Sequence, residues 1–303
     1  MVSINKTNYS IIIPHKNIPE LLRRCLTSIP KREDVQIIVI DDNSDPSIIN
    51  FSNFPGIGEP RTEVYLTKEG KGAGYARNIG LQKAKGKWIV FADADDYFND
   101  CFNNVMDQYS EFDSDVIYFQ SNSVDSDSLQ PVRSRGEVYN RWLEEACKKD
   151  IITEEIRYHI NPPWAKFFSR EFISANSIFF DEVMTGNDVL FSTKTGHLAN
   201  KITIDLNEIY CATVRSGSLD TQFSYKSAKS RFDIAISQYK YLQSAGIKKY
   251  SNNVWFYIDQ IRLSDQSNLM SIAINQAFRE LGLIDFIYGF MKLLYYKIIY
   301  KLR

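Results

Sequence analysis

The 303-residue sequence is poor in the residues that build metal cages and covalent staples. Its four cysteines, Cys25, Cys101, Cys147 and Cys211, stand far apart and form no Cys-x-x-Cys pair. That spacing excludes a zinc ribbon and a disulfide-stapled scaffold, and it suits a reducing compartment. Three scattered histidines exclude a His-rich metal centre. No charge of one sign dominates: Lys+Arg 36 against Asp+Glu 37 leaves −1, without the basic excess expected of a nucleic-acid binder. No run approaches the ~20 uncharged apolar residues of a membrane span. The stretch from Met1 to Asn8 has no apolar signal core, and no repeat or low-complexity segment is visible. A Gly-x-Gly-x-x-Gly after the first apolar run is also missing. That run ends in Pro14-His15-Lys16, and the later glycine loop puts Tyr75 or Arg77 where the last glycine belongs, which excludes a dinucleotide dehydrogenase. The first run likewise lacks the Asp-x-Asp that an aspartyl-nucleophile phosphohydrolase needs.

What is present is an alternation of short apolar runs and helical stripes. Tyr9 to Pro14 reads as a buried strand and Pro19 to Ile29 as a helix, with apolar positions 21, 22, 25, 26 and 29 on one stripe. Val35 to Ile40 is a second strand ending in Asp41-Asp42. A short helix or turn spans Pro46 to Phe54, and Glu63 to Thr67 is a third strand. A glycine-rich loop from Gly70 runs into a helix ending near Ala84, and Lys87 to Ala92 is a fourth strand. Strands joined by helical crossovers imply a mostly parallel, Rossmann-like sheet flanked by helices. Beyond it, helices are expected over Cys101–Tyr109, Glu137–Lys149, Arg170–Ala175 and from Asp188 to about Ala199. Strands are expected over Val116–Gln120, near Phe168, and as two runs, Ile202–Leu206 and Ile209–Val214.

The fourth strand stops at Asp93-Ala94-Asp95-Asp96, three carboxylates in four positions. Ligands of open α/β sheets bind beyond the carboxyl ends of strands. Crowded carboxylates repel, and a hard divalent cation bridging them to phosphates is a common remedy. Two other Asp-x-Asp triplets, at Asp113 and Asp125, do not end a strand and read as solvated loops. The helix start after Gly72 would offer N–H groups to an anion.

Four stretches together, Ile11-Ile12-Ile13-Pro14, Ile38 to Ser44, Ala76 to Leu81 and Phe91 to Asp96, resemble the family 2 glycosyltransferases of the GT-A fold, in order and in spacing. The resemblance runs from about Tyr9 to Ser218. It includes Pro163 to Phe172, which looks like the segment before the acceptor site, and Gly186 to Phe191, which looks like the base segment. It implies a GT-A catalytic domain over residues 1–220, with a nucleotide-sugar half to about 120 and an acceptor half over 121–220. A helical region would occupy 221–303. It further implies that Pro14 walls the base site, Asp42 binds base or ribose, Arg77 lines the nucleotide site and Asp93 contacts ribose. Asp95 would hold Mg²⁺ or Mn²⁺ on the donor diphosphate, and Asp188 would be the general base of an inverting transfer. Asn187 stands where the family usually has Glu, and Asp181-Glu182 is the fallback base. Trp164 is a sugar-stacking or core tryptophan, and Arg215-Ser216-Gly217-Ser218 a loop that could close over the diphosphate. The implied partners are a nucleotide-sugar donor, with uracil the commoner base, and a glycan or lipid-linked acceptor in bacterial surface-polysaccharide assembly. The competing reading is a catalytically silent nucleotide-sugar-binding scaffold.

The chain beyond Thr221 reads helical. Its end, from Phe286, is apolar, aromatic and basic. Such a tail suits either a membrane interface, with snorkelling lysines, or packing against its own domain or a second subunit. Lys292 and Arg303 point one way along it and Lys297 and Lys301 nearly the opposite way, which argues against one simple polar face. The implied location is cytoplasmic, with the inner face of the plasma membrane as its farthest reach.

Overall fold

The computed structural model describes residues 6–134, 136–215, 224–247 and 254–301. They form two compact units: the chain up to Glu182 with Phe191–Arg215, and Val183–Leu190 with the chain beyond Arg215.

The first unit is built on an eight-stranded sheet in the order β3-β2-β1-β4-β7-β6-β8-β5. Its strands are β1 (Tyr9–His15), β2 (Val35–Asp41), β3 (Thr62–Leu66), β4 (Trp88–Phe91), β5 (Tyr97–Phe98), β6 (Val116–Asp125), β7 (Lys166–Ser169) and β8 (Ile202–Val214). Parallel pairs join β1 to β2 and β4, β2 to β3, and β6 to β8. Only β7 and β5 run against their neighbours. Around the sheet lie α1 (Pro19–Ser28), α2 (Ala73–Lys83), α3 (Phe102–Tyr109), α4 (Gly136–Lys149), α5 (Glu154–His159) and α6 (Arg170–Ala175).

Both faces of the central strands are apolar because both are covered by helices. Alternation assigns the side chains. Ile11, Ile13, Trp88, Val90 and Phe167 pack with Leu22 and Cys25 of α1 and Phe102 and Met106 of α3. Ile12, Ile38, Ile89, Phe91 and Phe168 pack on the other side with Ala76 of α2, Leu143 of α4 and Phe172 of α6. A period of two thus splits each strand between two cores.

The chain steps from β1 to β2 to β3, then returns through α2 to β4 on the other side of β1. The order therefore reverses between β1 and β4, the place where such sheets leave a crevice. The ladder shows the parting. Ile12 is the last β1 residue paired with β4, whereas β2 stays paired as far as His15. The Ile12 carbonyl accepts from Ala92 N–H at 3.1 Å and the His15 carbonyl from Asp42 N–H at 2.8 Å. Pro14, by alternation, turns its nitrogen toward the side where β4 has ended, so its missing N–H forfeits no ladder bond.

Several elements differ from sequence expectation. β8 is one strand where two runs were expected, because register shifts around Gln120 absorb the interruption. Asp205 takes up the backbone and side-chain N–H groups of Asn207 there. β6 continues to Asp125 instead of stopping at Gln120. The Pro46–Phe54 stretch contains only a 3₁₀ turn, Phe51–Asn53. β5 and α5 were not foreseen: β5 has two residues, and α5 is tied down by Arg157 donating to the Gly196 carbonyl at 2.6 Å. Asp115 and Asp125, of the two stray triplets, accept from backbone N–H groups of turns.

The second unit contains α8 (Tyr225–Ser244), α9 (Val254–Leu263) and α10 (Met270–Lys301), with α7 (Val189–Leu198) beginning in this unit and continuing in the first. Phe232, Tyr239, Ile258, Ile261 and Ala277 form its core.

Gly80 of α2 is the tightest helix–sheet contact behind the crevice. A Cβ there would overlap Ile12 Cγ2 and lie 3.1 Å from Ile40 Cδ1. Gly80→Val should destabilise the protein by about 3 kcal/mol, measured by urea denaturation. An unchanged midpoint would mean that α2 has room to move.

Candidate active site

The ends of β1, β2 and β4 place the predicted residues side by side. Asp41 and Asp42 follow each other at the end of β2 but differ in what surrounds them. The Asp41 carboxylate accepts from Ser44 N–H at 2.9 Å and Ser44 Oγ at 2.5 Å, and it meets His15 Nδ1 at 2.8 Å. His15 Nε2 accepts from Ile18 N–H at 3.2 Å, which leaves Nδ1 to carry the proton toward Asp41. Burial alone would raise the Asp41 pKa; the bonds from His15 and Ser44 outweigh it and hold it below the usual value. Asp41 is thus fully engaged in shaping the turn.

Asp42 is not. Its Oδ2 accepts from Gly72 N–H at 2.9 Å and lies 3.4 Å from Lys16 Nζ. Its Oδ1 is buried and has no partner among the described residues. Buried acceptors in folded proteins are almost always satisfied, so an open one calls for an explanation. Gly72 also begins α2, with a positive φ of 94° that favours glycine, after Gly70 at 63°. The loop carrying these two glycines therefore hangs on Asp42, with the first turn of α2 following it.

Arg77, one turn into α2 and buried, donates to Asp93 Oδ1 at 2.6 Å and lies over the Phe180 ring at 5.3 Å. Asp95 Oδ2 accepts from Arg215 Nε at 3.0 Å. Burial, and then the Asp93 charge, push the Asp95 pKa up; Arg215 opposes them. Asp96 is buried outright, accepting from Tyr210 Oη at 2.8 Å and from Thr213 N–H at 2.7 Å. Burial and the two neighbouring carboxylates raise it well above the usual range. The three acids therefore divide the work. Asp96 anchors the turn inside the protein, while Asp93 and Asp95 stay partly open to solvent, each under a guanidinium.

Sequence reasoning missed the residues that hold this turn. Tyr210 accepts from Asp93 N–H at 2.9 Å as well as donating to Asp96. Arg24 donates to the Asp95 carbonyl at 2.6 Å, and Thr213 Oγ1 donates to the same oxygen at 2.7 Å. Trp164 lies flat on Tyr210, with ring centroids 5.3 Å apart and planes 11° from parallel. Trp164 stands out in the sequence within Pro163 to Phe172, but Tyr210, Arg24 and Thr213 carry no local motif; alternation along β8, which turns Tyr210 inward, was the one signal available for these three.

Asp188 immediately precedes α7 and belongs to the second unit. Its segment is held by α8: Thr185 Oγ1 donates to the Ser227 carbonyl at 3.2 Å, and Ser230 Oγ donates to the Thr185 carbonyl at 2.9 Å. Asp181, the fallback, has its pKa raised by burial against the pull of Lys194, and its Oδ2 has no partner among the described residues. Of the expected closing loop, Arg215 is described, while Ser216-Gly217-Ser218 lies outside the described residues.

The donor set fits a hard divalent cation. Asp93 and Asp95 are oxygen ligands, crowded, partly exposed, and already balanced by positive charge. Among the described residues, no three His, Cys, Asp or Glu side chains converge as a ready cage. A cation at Asp95 would therefore complete its shell with water and phosphate oxygens, the usual habit of Mg²⁺.

A reversal of strand order beside acidic strand ends is the architecture of the nucleotide-binding α/β class. Within that class the chain belongs to Glycosyl transferase family 2, whose model matches residues 10–175, and it has a GT-A fold. Among its relatives, the poly(ribitol-phosphate) β-N-acetylglucosaminyltransferase TarS of Staphylococcus aureus is 25% identical over 217 residues, 69% of this chain and 36% of that protein. This chain therefore spans about a third of the length of that relative. Glycosyltransferase GlyG of Streptococcus pneumoniae is 26% identical over 242 residues, 74% of this chain and 77% of that protein. In structure, TarS 1–349 in complex with UDP-GlcNAc superposes with a TM-score of 0.61 at 20% identity, covering 93% of this chain and 79% of that one. A mannosyltransferase of Pyrobaculum calidifontis, in complex with GDP-Man and Mn²⁺, gives 0.55 at 16% identity, covering 99% and 82%. At those identities the two likenesses speak for the fold.

The raised Asp95 pKa has a signed consequence. Its carboxyl releases its proton sooner in the unfolded chain than in the folded one. Its contribution thus favours folding at low pH and fades as pH rises through the folded pKa. Asp95→Asn should therefore gain stability relative to the parent as pH rises above the ordinary carboxylate pKa of about 4, followed by denaturation at each pH without divalent cation. A difference that stays flat with pH would contradict the assignment.

Proposed function

We propose that the protein is an inverting glycosyltransferase that moves a sugar from a uridine diphosphate sugar to a hydroxyl group of a polymeric or lipid-linked glycan. The observation that carries this reading is the buried, unpartnered Oδ1 of Asp42 at the switch point. Such an oxygen is kept for a donor on the ligand, and the N–H of a uracil ring or a ribose hydroxyl supplies one. Pro14 walls the base site beside it. Asp93, oriented by Arg77, takes ribose hydroxyls, and Asp95 would hold Mg²⁺ or Mn²⁺. Relatives crystallised with UDP-GlcNAc, and with GDP-Man and Mn²⁺, support the donor class and the cation. The TarS name supports a polymeric acceptor.

The chemistry is a single displacement. The acceptor O–H is a poor nucleophile, so Asp188 takes its proton as the oxygen attacks the anomeric carbon. The bond from that carbon to the β-phosphate oxygen breaks, its electron pair leaves with UDP, and the anomeric configuration inverts. Arg215 turns from Asp95 to the diphosphate as charge grows there, and the N–H groups at the start of α2 face the same anion. A bound divalent cation would supply Lewis-acid compensation for that charge. Asn187 stands beside Asp188 where the family usually has Glu, so the proposed base acts without a neighbouring acid at that position. Trp164 acts through Tyr210 by steadying the acidic turn. The transfer takes place in the cytoplasm.

Two variants test the reading. Asp188→Asn should bind UDP and Mn²⁺ as the parent does in calorimetry, while transfer falls by about a hundredfold or more. Turnover near the parent's would remove Asp188 from the mechanism. Asp42→Ala should weaken UDP binding by about tenfold or more, the loss of a charge-assisted hydrogen bond. Unchanged affinity would remove Asp42 from the donor site.

A further inference from the structure

The segment that carries Asp188 is fastened to one face of α8, and every contact that fastens it lies within the second unit. Ser230 Oγ donates to the Thr185 carbonyl at 2.9 Å and accepts from Thr185 N–H at 3.4 Å. One hydroxyl thus serves both backbone polar groups of that residue. Thr185 Oγ1 donates to the Ser227 carbonyl at 3.2 Å. Gly186 follows, and a Cβ built there would lie 3.6 Å from Ile234 Cγ2. Ser227, Ser230 and Ile234 are spaced by three and by four, which sets them on one side of the helix. Thr185, Ser227 and Ile234 are buried. Past this contact the chain turns at once. Gly186 takes a φ of 79°, and its carbonyl accepts from Val189 N–H at 3.2 Å. That bond closes a four-residue turn over Gly186-Asn187-Asp188-Val189, with Asp188 at its third position. α7 begins at Val189.

Position passes along this path from helix to acid. A serine inside a helix gains nothing from helix formation, because its hydroxyl competes for backbone partners. Ser230 spends that hydroxyl on the backbone of another segment, three residues before Asp188. Without it, the N–H and carbonyl of buried Thr185 lose this partner, and open buried polar groups are costly. The segment would shift to satisfy them elsewhere, and the turn carrying Asp188 would shift with it. A general base must stand within hydrogen-bond reach of the proton it takes. A misplacement of about 1 Å, caused by a change away from the chemistry, can cost about a hundredfold in rate. Asp42, Arg77, Asp93 and Asp95 belong to the first unit. A shift confined to residues 183–190 therefore leaves nucleotide binding as it was.

We propose that Ser230 of α8 is a positioning residue for the transfer base, acting through Thr185 and the Gly186–Val189 turn. It rests on the reading of Asp188 as that base, and the two can fail separately. Parent-like turnover by Asp188→Asn removes the base itself, whereas parent-like turnover by Ser230→Ala alone removes only its support. The test uses the full chain with Mn²⁺ and follows UDP release from UDP-glucose, UDP-galactose and UDP-N-acetylglucosamine. Water stands in for the acceptor: its oxygen attacks the anomeric carbon, its proton goes to Asp188, and UDP leaves. Ser230→Ala should lower kcat by about tenfold to a hundredfold while the donor KM stays within about twofold of the parent's. Hydrogen exchange read by mass spectrometry should show the amides of Thr185 to Val189 exchanging about tenfold faster or more in the variant. Thr185→Val, which keeps the shape and loses Oγ1, should show the same split with a smaller fall in kcat. A merely structural role would lower the thermal midpoint and leave kcat per folded molecule at the parent's value. An unchanged kcat, a donor KM raised as far as kcat is lowered, or unchanged exchange overturns the proposal. A parent that releases UDP from none of the three donors overturns it together with the reading beneath it.

Discussion

Like charge held close together is the constraint on which the first unit depends. Asp93, Asp95 and Asp96 crowd one turn, and the last two have their proton affinity raised by burial and by carboxylates of the same turn. Side chains from outside the turn, Thr213 among them, hold it in place. Arg77 and Arg215 cover the two open carboxylates, while Tyr210 and Arg24 secure the backbone and the buried acid. The turn therefore keeps a geometry that its own residues would resist. It also leaves two partly open carboxylates, each countered by a guanidinium, which is the countercharge that the proposed cation and diphosphate would replace.

The sheet serves that turn. Reversal of strand order at β1 opens a crevice where β4 stops and β1 continues. Asp42 enters from one side of it and the acidic turn from the other, and the Gly72 N–H bond fastens the start of α2 to Asp42. Packing fixes the spacing: α2 lies so close on Ile12 and Ile40 that Gly80 has no room for a side chain. The segment of Asp188 belongs to the second unit, where Thr185 is bonded to α8.

Much of this was legible in the sequence where the signal is local. β1, β2 and β4 are short apolar runs, and their acidic ends follow directly from reading where the runs stop. The Gly70–Gly72 loop announces itself, since both residues take a positive φ. What stayed hidden is held by distant partners. Nothing adjacent to Tyr210 or Arg24 marks either as support for a turn more than seventy positions away. Asp41 and Asp42 look alike as a pair, and only their surroundings separate a saturated carboxylate from one with an open oxygen. β8 reads as two strands because the break at Leu206–Asn207 is local, whereas the bulge that bridges it belongs to the pairing with β6.

The central claim is that Asp42 and Asp95 jointly grip a uridine diphosphate and a cation, and the most direct measurement is a crystal structure of the protein with UDP and Mn²⁺. The account predicts the uracil or ribose within hydrogen-bond reach of Asp42 Oδ1. It also predicts manganese on Asp95, with Arg215 moved from that carboxylate to the phosphates. Density elsewhere on the protein, or a filled crevice that leaves Asp42 Oδ1 and the Arg215–Asp95 pair untouched, would contradict it.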